Sequence, residues 1–235
     1  MLTNVDEPIL PTACLAQLRK PRTERSQPGI KVNLSWWNAG LAEHGLPGGP
    51  VRGRDGEGRS VAEGRAWITR EDVFALAADD GPDGTARLLW HALAWGSGMS
   101  VRNNRRRLAS MAADLEGGLR LLRRAGGLAA EDPAAGYAVL LPDGRRPAVP
   151  YLNAAFFTKF LYFAGGGAGS HRALILDSLV ARALHRHGWT SLGAAGWPAA
   201  TYGRYCALLG RWADEHGVRP DAIELWLFQE GGRLR

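Results

Sequence analysis

Apolar residues recur with helical spacing along most of the chain from Thr69 onward. In one such stretch, Leu88, Leu89, Ala92 and Trp95 fall on the same face of a helix. Runs that alternate between apolar and polar residues, which indicate half-buried strands, are scarce. The pattern predicts a mainly α-helical protein, with helices at residues 85–95, 102–114, 118–125, 153–164, 177–188, 198–216 and 220–228.

Capping residues and glycines mark the ends of several predicted helices. Thr69 followed by Asp72 resembles a capping box, which predicts that a further helix begins there. Asp132 followed by Pro133 has the composition of an N-cap and a first helical turn. Three consecutive glycines, residues 165–167, predict the end of the aromatic-rich helix that precedes them.

The N-terminal part of the chain differs from the rest because it is rich in proline, glycine and charge. Residues 45–65 show no periodicity, which predicts a long loop. A basic cluster near the N-terminus consists of Arg19, Lys20, Arg22 and Arg25. We therefore divide the chain into a basic, loop-rich segment, residues 1–65, and a helical domain, residues 66–235.

Charge narrows the range of partners. The 235 residues carry a formal net charge of +6, which attracts polyanions, and nucleic acid is the usual partner of such a surface. The alternative is a protein from an arginine-rich proteome, because lysine occurs only at Lys20, Lys31 and Lys159. Arginine also suits bidentate phosphate contacts, so the charge favours nucleic acid without proving it.

Composition argues against several other classes. The two cysteines, Cys14 and Cys206, are far apart and form no CxxC motif, so we expect no disulfide scaffold, no structural zinc and no iron–sulfur cluster. We also expect a site without a metal and an activity without a cofactor. No apolar run approaches the roughly 18 residues that a membrane helix needs. The N-terminus also lacks the pattern of a signal peptide. We therefore expect a cytoplasmic protein that does not bind membranes.

The helix predicted at residues 153–164 contains a lysine in unusually apolar surroundings. Lys159 lies one position from two stripes of aromatic and aliphatic residues. Such surroundings disfavour the charged form of an amine. The uncharged amine is the form that acts as a nucleophile and forms a Schiff base. The alternative is that Lys159 lays its stem on the core and extends its ammonium group into water.

Asp177 follows the apolar run 173–176 and precedes an amphipathic helix, so it occupies an N-cap position. Capping alone explains an aspartate at such a place. A capping carboxylate is also rigidly held and ionised, and it can stabilise a sugar cation or relay a proton. Together, Lys159 and Asp177 are therefore the candidate catalytic residues.

The segment YLNAAFFTKFLYFAGGGAGSHRALILDSLVARAL, which begins at Tyr151, resembles a known family. A lysine in an apolar helix, a glycine-rich turn and an apolar run ending in aspartate are typical of helix-hairpin-helix DNA glycosylases, in particular the lysine-dependent 8-oxoguanine DNA glycosylases. Asp177 follows Lys159 by 18 positions, close to the spacing in that subset. Residues 152–158 depart from the family, which has a glycine-rich turn before the lysine, so we expect a divergent member.

The resemblance implies a fold and a mechanism. The fold is the two-lobed helical fold of these glycosylases. Lys159 attacks C1′ of an extruded nucleotide, expels the base and forms a Schiff base that can lead to strand cleavage, and Asp177 assists.

The resemblance also implies further site residues. The stretch LLWHALAWGSGMSVRNNRRRLASM looks like the family helix and loop that face DNA, although basic runs of this kind are alternatively just solvated. A late helix lines the base pocket in the family, although core packing is the alternative for each aromatic residue there. The implied DNA-binding residues are Ser100, Arg102, Asn103, Arg105, Arg106 and His171, and the implied base-pocket residues are Phe156, Trp226, Phe228 and Gln229.

We therefore predict a monomeric DNA N-glycosylase with AP-lyase activity that acts on double-stranded DNA containing a damaged or modified base. One alternative is a glycosylase that excises hypermodified bases from foreign DNA, as in defence against phages. A second alternative is a non-catalytic DNA-binding module on the same scaffold.

Overall fold

The computed structural model describes residues 8–20 and 27–234, which include eleven helices. Of the basic N-terminal cluster, Arg22 and Arg25 lie outside the described residues. The helices are α1 (Thr12–Leu18), α2 (Leu34–Glu43), α3 (Arg70–Phe74), α4 (Gly84–Ser97), α5 (Asn104–Ala113), α6 (Leu115–Ala129), α7 (Pro133–Leu140), α8 (Ala154–Phe163), α9 (Ser178–Arg186), α10 (Ala199–His216) and α11 (Pro220–Arg233). The prediction of a mainly helical fold is confirmed.

A small antiparallel sheet accompanies the helices. Its strands are β1 (Ile30–Asn33), β2 (Gly53–Arg54), β3 (Ser60–Val61) and β4 (Arg65–Ile68), in the spatial order β1-β4-β2-β3. β1 and β4 alternate, so that Val32, Ala66 and Ile68 face the core while Trp67 is exposed. Because β1 pairs with β4, the sheet connects residues on both sides of the predicted boundary after residue 65.

The prediction that residues 45–65 form only a long loop was wrong. This stretch contains β2, β3 and the first residue of β4. β2 and β3 have two residues each, too short for an alternating pattern to show in the sequence. Gly53 lies against β4 so closely that a Cβ atom would come within 2.9 Å of Trp67 O, which explains a glycine inside a strand.

Capping side chains predicted some helix starts but not all of them. The start of α6 was predicted at residue 118, although Asp114 caps a helix that begins at Leu115, and α2, capped by Asn33, was not predicted. Thr69 and Asp72 form the expected capping box, and Asp132 accepts hydrogen bonds from the backbone amides at the start of α7. Glycine was a poorer guide, because α6 continues through Gly126 and Gly127 to Ala129 instead of ending at residue 125. Gly126 is close to Ala164 and Phe160, so it serves helix packing rather than helix termination.

Helix α8 lies in the core, with other helices packed around it. Every residue from Phe157 to Phe163 is buried, and α8 packs against α4, α6 and α7. α9 packs against α11 at very short range, because a Cβ atom at Gly231 would lie 2.0 Å from Leu179 O. These contacts bring α4, α8, α9 and α11 together around one cleft.

Candidate active site

Lys159 is buried in the middle of α8, and its side chain is only 8% exposed. Its Nζ atom donates a hydrogen bond to Ala155 O at 2.7 Å and lies 3.5 Å from Asp177 Oδ2. The stem runs over Gly96 of α4, and Nζ lies 5.6 Å from the centre of the Phe156 ring. The side chain therefore does not extend into bulk water, and the interpretation of Lys159 as a snorkelling surface lysine was wrong.

Asp177 is the N-cap of α9, as predicted. Its Oδ1 accepts hydrogen bonds from the amides of Leu179 and Val180, which leaves Oδ2 to face Lys159 Nζ. One carboxylate thus caps the helix with one oxygen and meets the amine with the other. The capping and catalytic interpretations are therefore compatible in a single residue.

The extended run before Asp177 is held by three buried hydroxyl groups. Tyr202 and Tyr205 of α10 donate to the carbonyls of Leu174 and Ile175, both at 2.7 Å. Thr158 Oγ1 accepts from the amide of Leu176 at 3.3 Å, which ties this run to α8 next to Lys159. Buried backbone groups need such partners. The bonds fix where Asp177 lies relative to Lys159.

Lys159 and Asp177 lie where two cavities meet, and Gly96 borders both as well. An open cleft of about 690 Å³ is lined also by Phe156, Leu179 and Arg182. A more enclosed recess of about 230 Å³ lies on the other side. The residues that line the recess are Gln27, Ile30, Arg70, Trp95, Gly96, Ser97, Gly98, Lys159, Ile175, Asp177, Glu224 and Phe228.

A buried ion pair forms part of the wall of this recess. Arg70 Nη2 donates to Glu224 Oε2 at 2.9 Å, and the Glu224 side chain is only 1% exposed. Burial raises the pKa of Glu224, although Arg70 opposes the rise and Asp177 adds to it. Arg70 also donates to Gln27 Oε1 and Tyr162 Oη, both at 2.9 Å. The recess therefore combines aromatic surface with a fixed set of polar groups.

The predicted DNA-facing loop lies between α4 and α5. Ser100, Arg102, Asn103, Arg105 and Arg106 are all exposed, and Asn103 has a left-handed backbone with φ of 63°. Within residues 8–20 and 27–234, no carboxylate lies within ion-pair distance of these three arginines. Their charge is therefore available to a polyanion.

The sequence analysis missed Arg107, one position beyond this group. The Arg107 guanidinium is buried and lies 3.6 Å from the centre of the Phe156 ring. It donates to Tyr151 O at 3.1 Å and to Asn104 Oδ1, and burial lowers its pKa to about 10. The basic run that includes Arg107 was interpreted only as DNA-facing or solvated, and neither interpretation places an arginine in the interior. Helical periodicity could have placed Arg107 beside the buried Leu108 and Met111, on the inner face of α5.

The other predicted site residues fall into two groups. Phe156 lines the open cleft and Phe228 lines the recess, so both lie beside Lys159. Trp226 and Gln229 line a separate small cavity next to α1, because they lie on another face of α11. Their assignment to the base pocket is therefore not supported by their position.

His171 also lies away from Lys159. Its Nε2 atom lies 2.8 Å from Leu161 O, and the residue borders a different cavity, together with Cys206. Burial lowers the pKa of His171, which favours the neutral ring and weakens any attraction to phosphate. A DNA contact by His171 remains a prediction that this placement does not favour.

The described residues contain neither a cluster of metal ligands nor a helix that could span a membrane. Among residues 8–20 and 27–234, His, Cys, Asp and Glu side chains form no group of three or more that is suited to hold a metal ion. In the same part of the chain, none of the helices combines the length and the apolar character needed to cross a membrane.

Residues 23–228 match the model of a protein family described as "Putative 8-oxoguanine DNA glycosylase OGG-like protein". The matched range includes Lys159, Asp177 and every residue that lines the recess. No curated protein and no solved structure shows a significant match to the chain. The predicted resemblance is confirmed by the family match.

Proposed function

Because the chain belongs to the family of 8-oxoguanine DNA glycosylase OGG-like proteins, we propose that it excises a damaged or modified base from DNA with Lys159 as the nucleophile. The family supports a glycosylase that acts on DNA. The catalytic residues, the lyase step and the damaged duplex as substrate are our proposal. The main support for this proposal is the position of the Lys159 amine, which lies 3.5 Å from the Asp177 carboxylate and at the border of both cavities.

The two cavities suit the two parts of an extruded nucleotide. The open cleft, with Arg182 on its wall, suits the sugar and its phosphates, because guanidinium groups bind phosphate. The recess, with Trp95 and Phe228 on its wall, suits a flat base, because glycosylase chemistry requires the base to leave the stack and enter a pocket. C1′ then lies between the two, next to Lys159 Nζ.

The chemistry needs an uncharged amine and a stabilised sugar cation. In the proposed step, the lone pair of Lys159 Nζ forms a bond to C1′ and the glycosidic bond breaks. Its electron pair leaves with the base, which takes up one of the two protons that the amine carried. The Asp177 carboxylate offsets the positive charge that develops on the sugar. The C1′–O4′ bond then opens as the remaining amine proton passes to O4′, which gives an imine and a free hydroxyl group. Loss of a C2′ proton allows the C3′–O bond to break, so that the 3′ phosphate leaves and the strand is cleaved.

Trapping with borohydride tests the proposal. The reductant adds hydride to the imine carbon, so the Lys159–C1′ link becomes a stable amine and the protein migrates as a covalent DNA adduct. We expect an adduct with duplexes that contain an abasic site or an excised lesion. Lys159→Gln should remove the adduct and leave DNA binding close to normal, because the amine is replaced by a neutral polar group on a side chain only one atom shorter.

Lys31→Gln is a matched control, because Lys31 is exposed on β1 and borders neither cavity. It should leave trapping unchanged. If the wild-type protein forms no adduct with abasic DNA or with any member of a panel of oxidised bases, the assignment of Lys159 is wrong. If Lys159→Gln changes no measurable activity, the chain is better described as a DNA-binding module.

A further inference from the structure

Glu224 is the one acidic residue, apart from Asp177, that lines the recess within the described part of the chain. The Glu224 side chain is almost completely buried, and its Oε2 accepts a hydrogen bond from the Nη2 atom of Arg70. Because Glu224 lines the recess, its carboxylate is a hydrogen-bond acceptor on the wall where a base would enter. The proposed mechanism makes no use of this group.

Arg70 holds Glu224 in one orientation. The Arg70 guanidinium lies between two aromatic rings, 5.3 Å from the centre of Trp95 and 5.1 Å from the centre of Tyr162. Its donors go to Gln27, Tyr162 and Glu224. The guanidinium has little freedom to turn, and its charge opposes the rise in the pKa of Glu224 that burial causes. The ion pair therefore favours the ionised form, which accepts hydrogen bonds but donates none.

We propose that Glu224 is the residue that selects the base, by accepting a hydrogen bond from an exocyclic amino group on the edge that enters the recess. This inference rests on the proposed function of the same site. The substrate class is then a base that carries an amino group at that edge. A base with a carbonyl oxygen at that edge would place this oxygen against the Glu224 carboxylate. Two hydrogen-bond acceptors would then face each other, and no hydrogen bond would form between the base and Glu224.

Pairs of lesions that differ in one amino group test this selection. Suitable pairs are 8-oxoguanine against 8-oxohypoxanthine and 5-hydroxycytosine against 5-hydroxyuracil, each placed in the same duplex. We expect the wild-type protein to prefer the amino-bearing member of at least one pair by roughly ten- to a hundredfold, as for one buried hydrogen bond to a charged group. The ratio of excision rates measures this preference. Where excision is undetectable, the preference is measured instead as the ratio of the dissociation constants of the two duplexes for the Lys159→Gln protein.

Glu224→Gln is the main variant, because an amide both donates and accepts. We expect the preference to fall to within about threefold of unity, while borohydride trapping on an abasic duplex, which has no base to select, is kept. Glu230→Gln lies on the same helix but lines neither cavity, so it should keep both. Glu224→Gln could fail to fold because Arg70 loses its counter-charge. In that case the double variant Arg70→Gln, Glu224→Gln removes both charges, and we expect the same loss of preference with abasic trapping kept.

The outcomes separate this inference from the proposed function. If the wild-type protein forms no adduct with abasic DNA, the role of Lys159 is contradicted. The ratios of dissociation constants then still test the role of Glu224. Equal values for both members of both pairs in the wild-type protein overturn the selection by Glu224. A preference that survives in Glu224→Gln, with trapping intact, overturns it as well.

Discussion

Gly96 of α4 lies directly under the side chain of Lys159 of α8. A Cβ atom at position 96 would lie 2.5 Å from Lys159 Cδ and 3.0 Å from Cε. The path of the lysine stem, and hence the position of its amine, therefore depends on the absence of a side chain on the neighbouring helix. This contact explains a glycine near the end of a helix in which most of the other residues are buried.

The Gly96→Ala variant should lose activity without losing stability. The added methyl group meets the flexible end of Lys159, which can move aside, and alanine favours the helix. A displacement of about 1 Å at a reacting group costs roughly a hundredfold in rate. We expect slower single-turnover trapping with abasic DNA and an unchanged midpoint of thermal unfolding. Gly127→Ala on α6 is the control, because nothing lies within 4 Å of its added Cβ, and equal trapping rates in both variants would contradict the contact.

Asp177→Asn should separate capping from chemistry. Asparagine caps helices about as well as aspartate, so stability should change little, but the charge facing Lys159 is lost. We expect a fall in single-turnover rate of roughly a hundredfold, the usual effect of removing one preorganised electrostatic group. Asp177→Ala should lose the cap as well and unfold about 1 kcal/mol more easily. Unchanged rates in Asp177→Asn would restrict this residue to capping.

Gly231→Ala should destabilise the protein, because its Cβ would come within 2.0 Å of Leu179 O, a backbone atom that cannot turn away. Forcing α9 and α11 apart should cost about 1–3 kcal/mol of unfolding free energy. Gly232→Ala provides a matched control, since nothing lies within 4 Å of its Cβ. Urea unfolding of the two variants measures the difference, and equal midpoints would be inconsistent with this packing.

Stability should fall in acid through Asp221. Burial acts to raise the pKa of this carboxyl, but hydrogen bonds and charge from Arg219, together with Tyr162 and Arg70, outweigh it and lower the pKa. A lowered folded-state pKa means that the stabilisation is present above the unfolded pKa of about 3.9 and is lost as the pH falls through the folded value. Asp221→Asn should therefore be less stable than wild type at pH 6, with the difference shrinking below about pH 4. A difference independent of pH would contradict this linkage.

Arg105 should contribute to the salt dependence of DNA binding. It is exposed and has no acidic partner among the described residues, whereas Arg59 pairs with Asp55 and Glu57. Arg105→Gln should lower the slope of log affinity against log salt by about 1, as expected for the loss of one phosphate contact. Arg59→Gln should leave the slope unchanged. Fluorescence anisotropy with an abasic duplex at several salt concentrations measures both.

Helix positions and caps could be predicted from the sequence because they depend on residues that are close together along the chain. The N-cap at Asp177, the Asp132–Pro133 start and the capping box at Thr69 all follow from local hydrogen bonding. The same local reasoning failed at Gly126, where the glycine lies against another helix and α6 continues past it. It also failed for β2 and β3, which exist only through pairing with other strands.

The candidate site depends on contacts between distant segments. The sequence identified Lys159 and Asp177 as a pair, but the approach of Asp177 Oδ2 to the amine is set by buried hydroxyls on α8 and α10. The recess takes Gln27, Arg70 and Glu224 from three separate parts of the chain. No local pattern marks such residues, since their meeting depends on how the helices and the sheet pack. Glu224 and Gly96 therefore became functional candidates only in the folded structure.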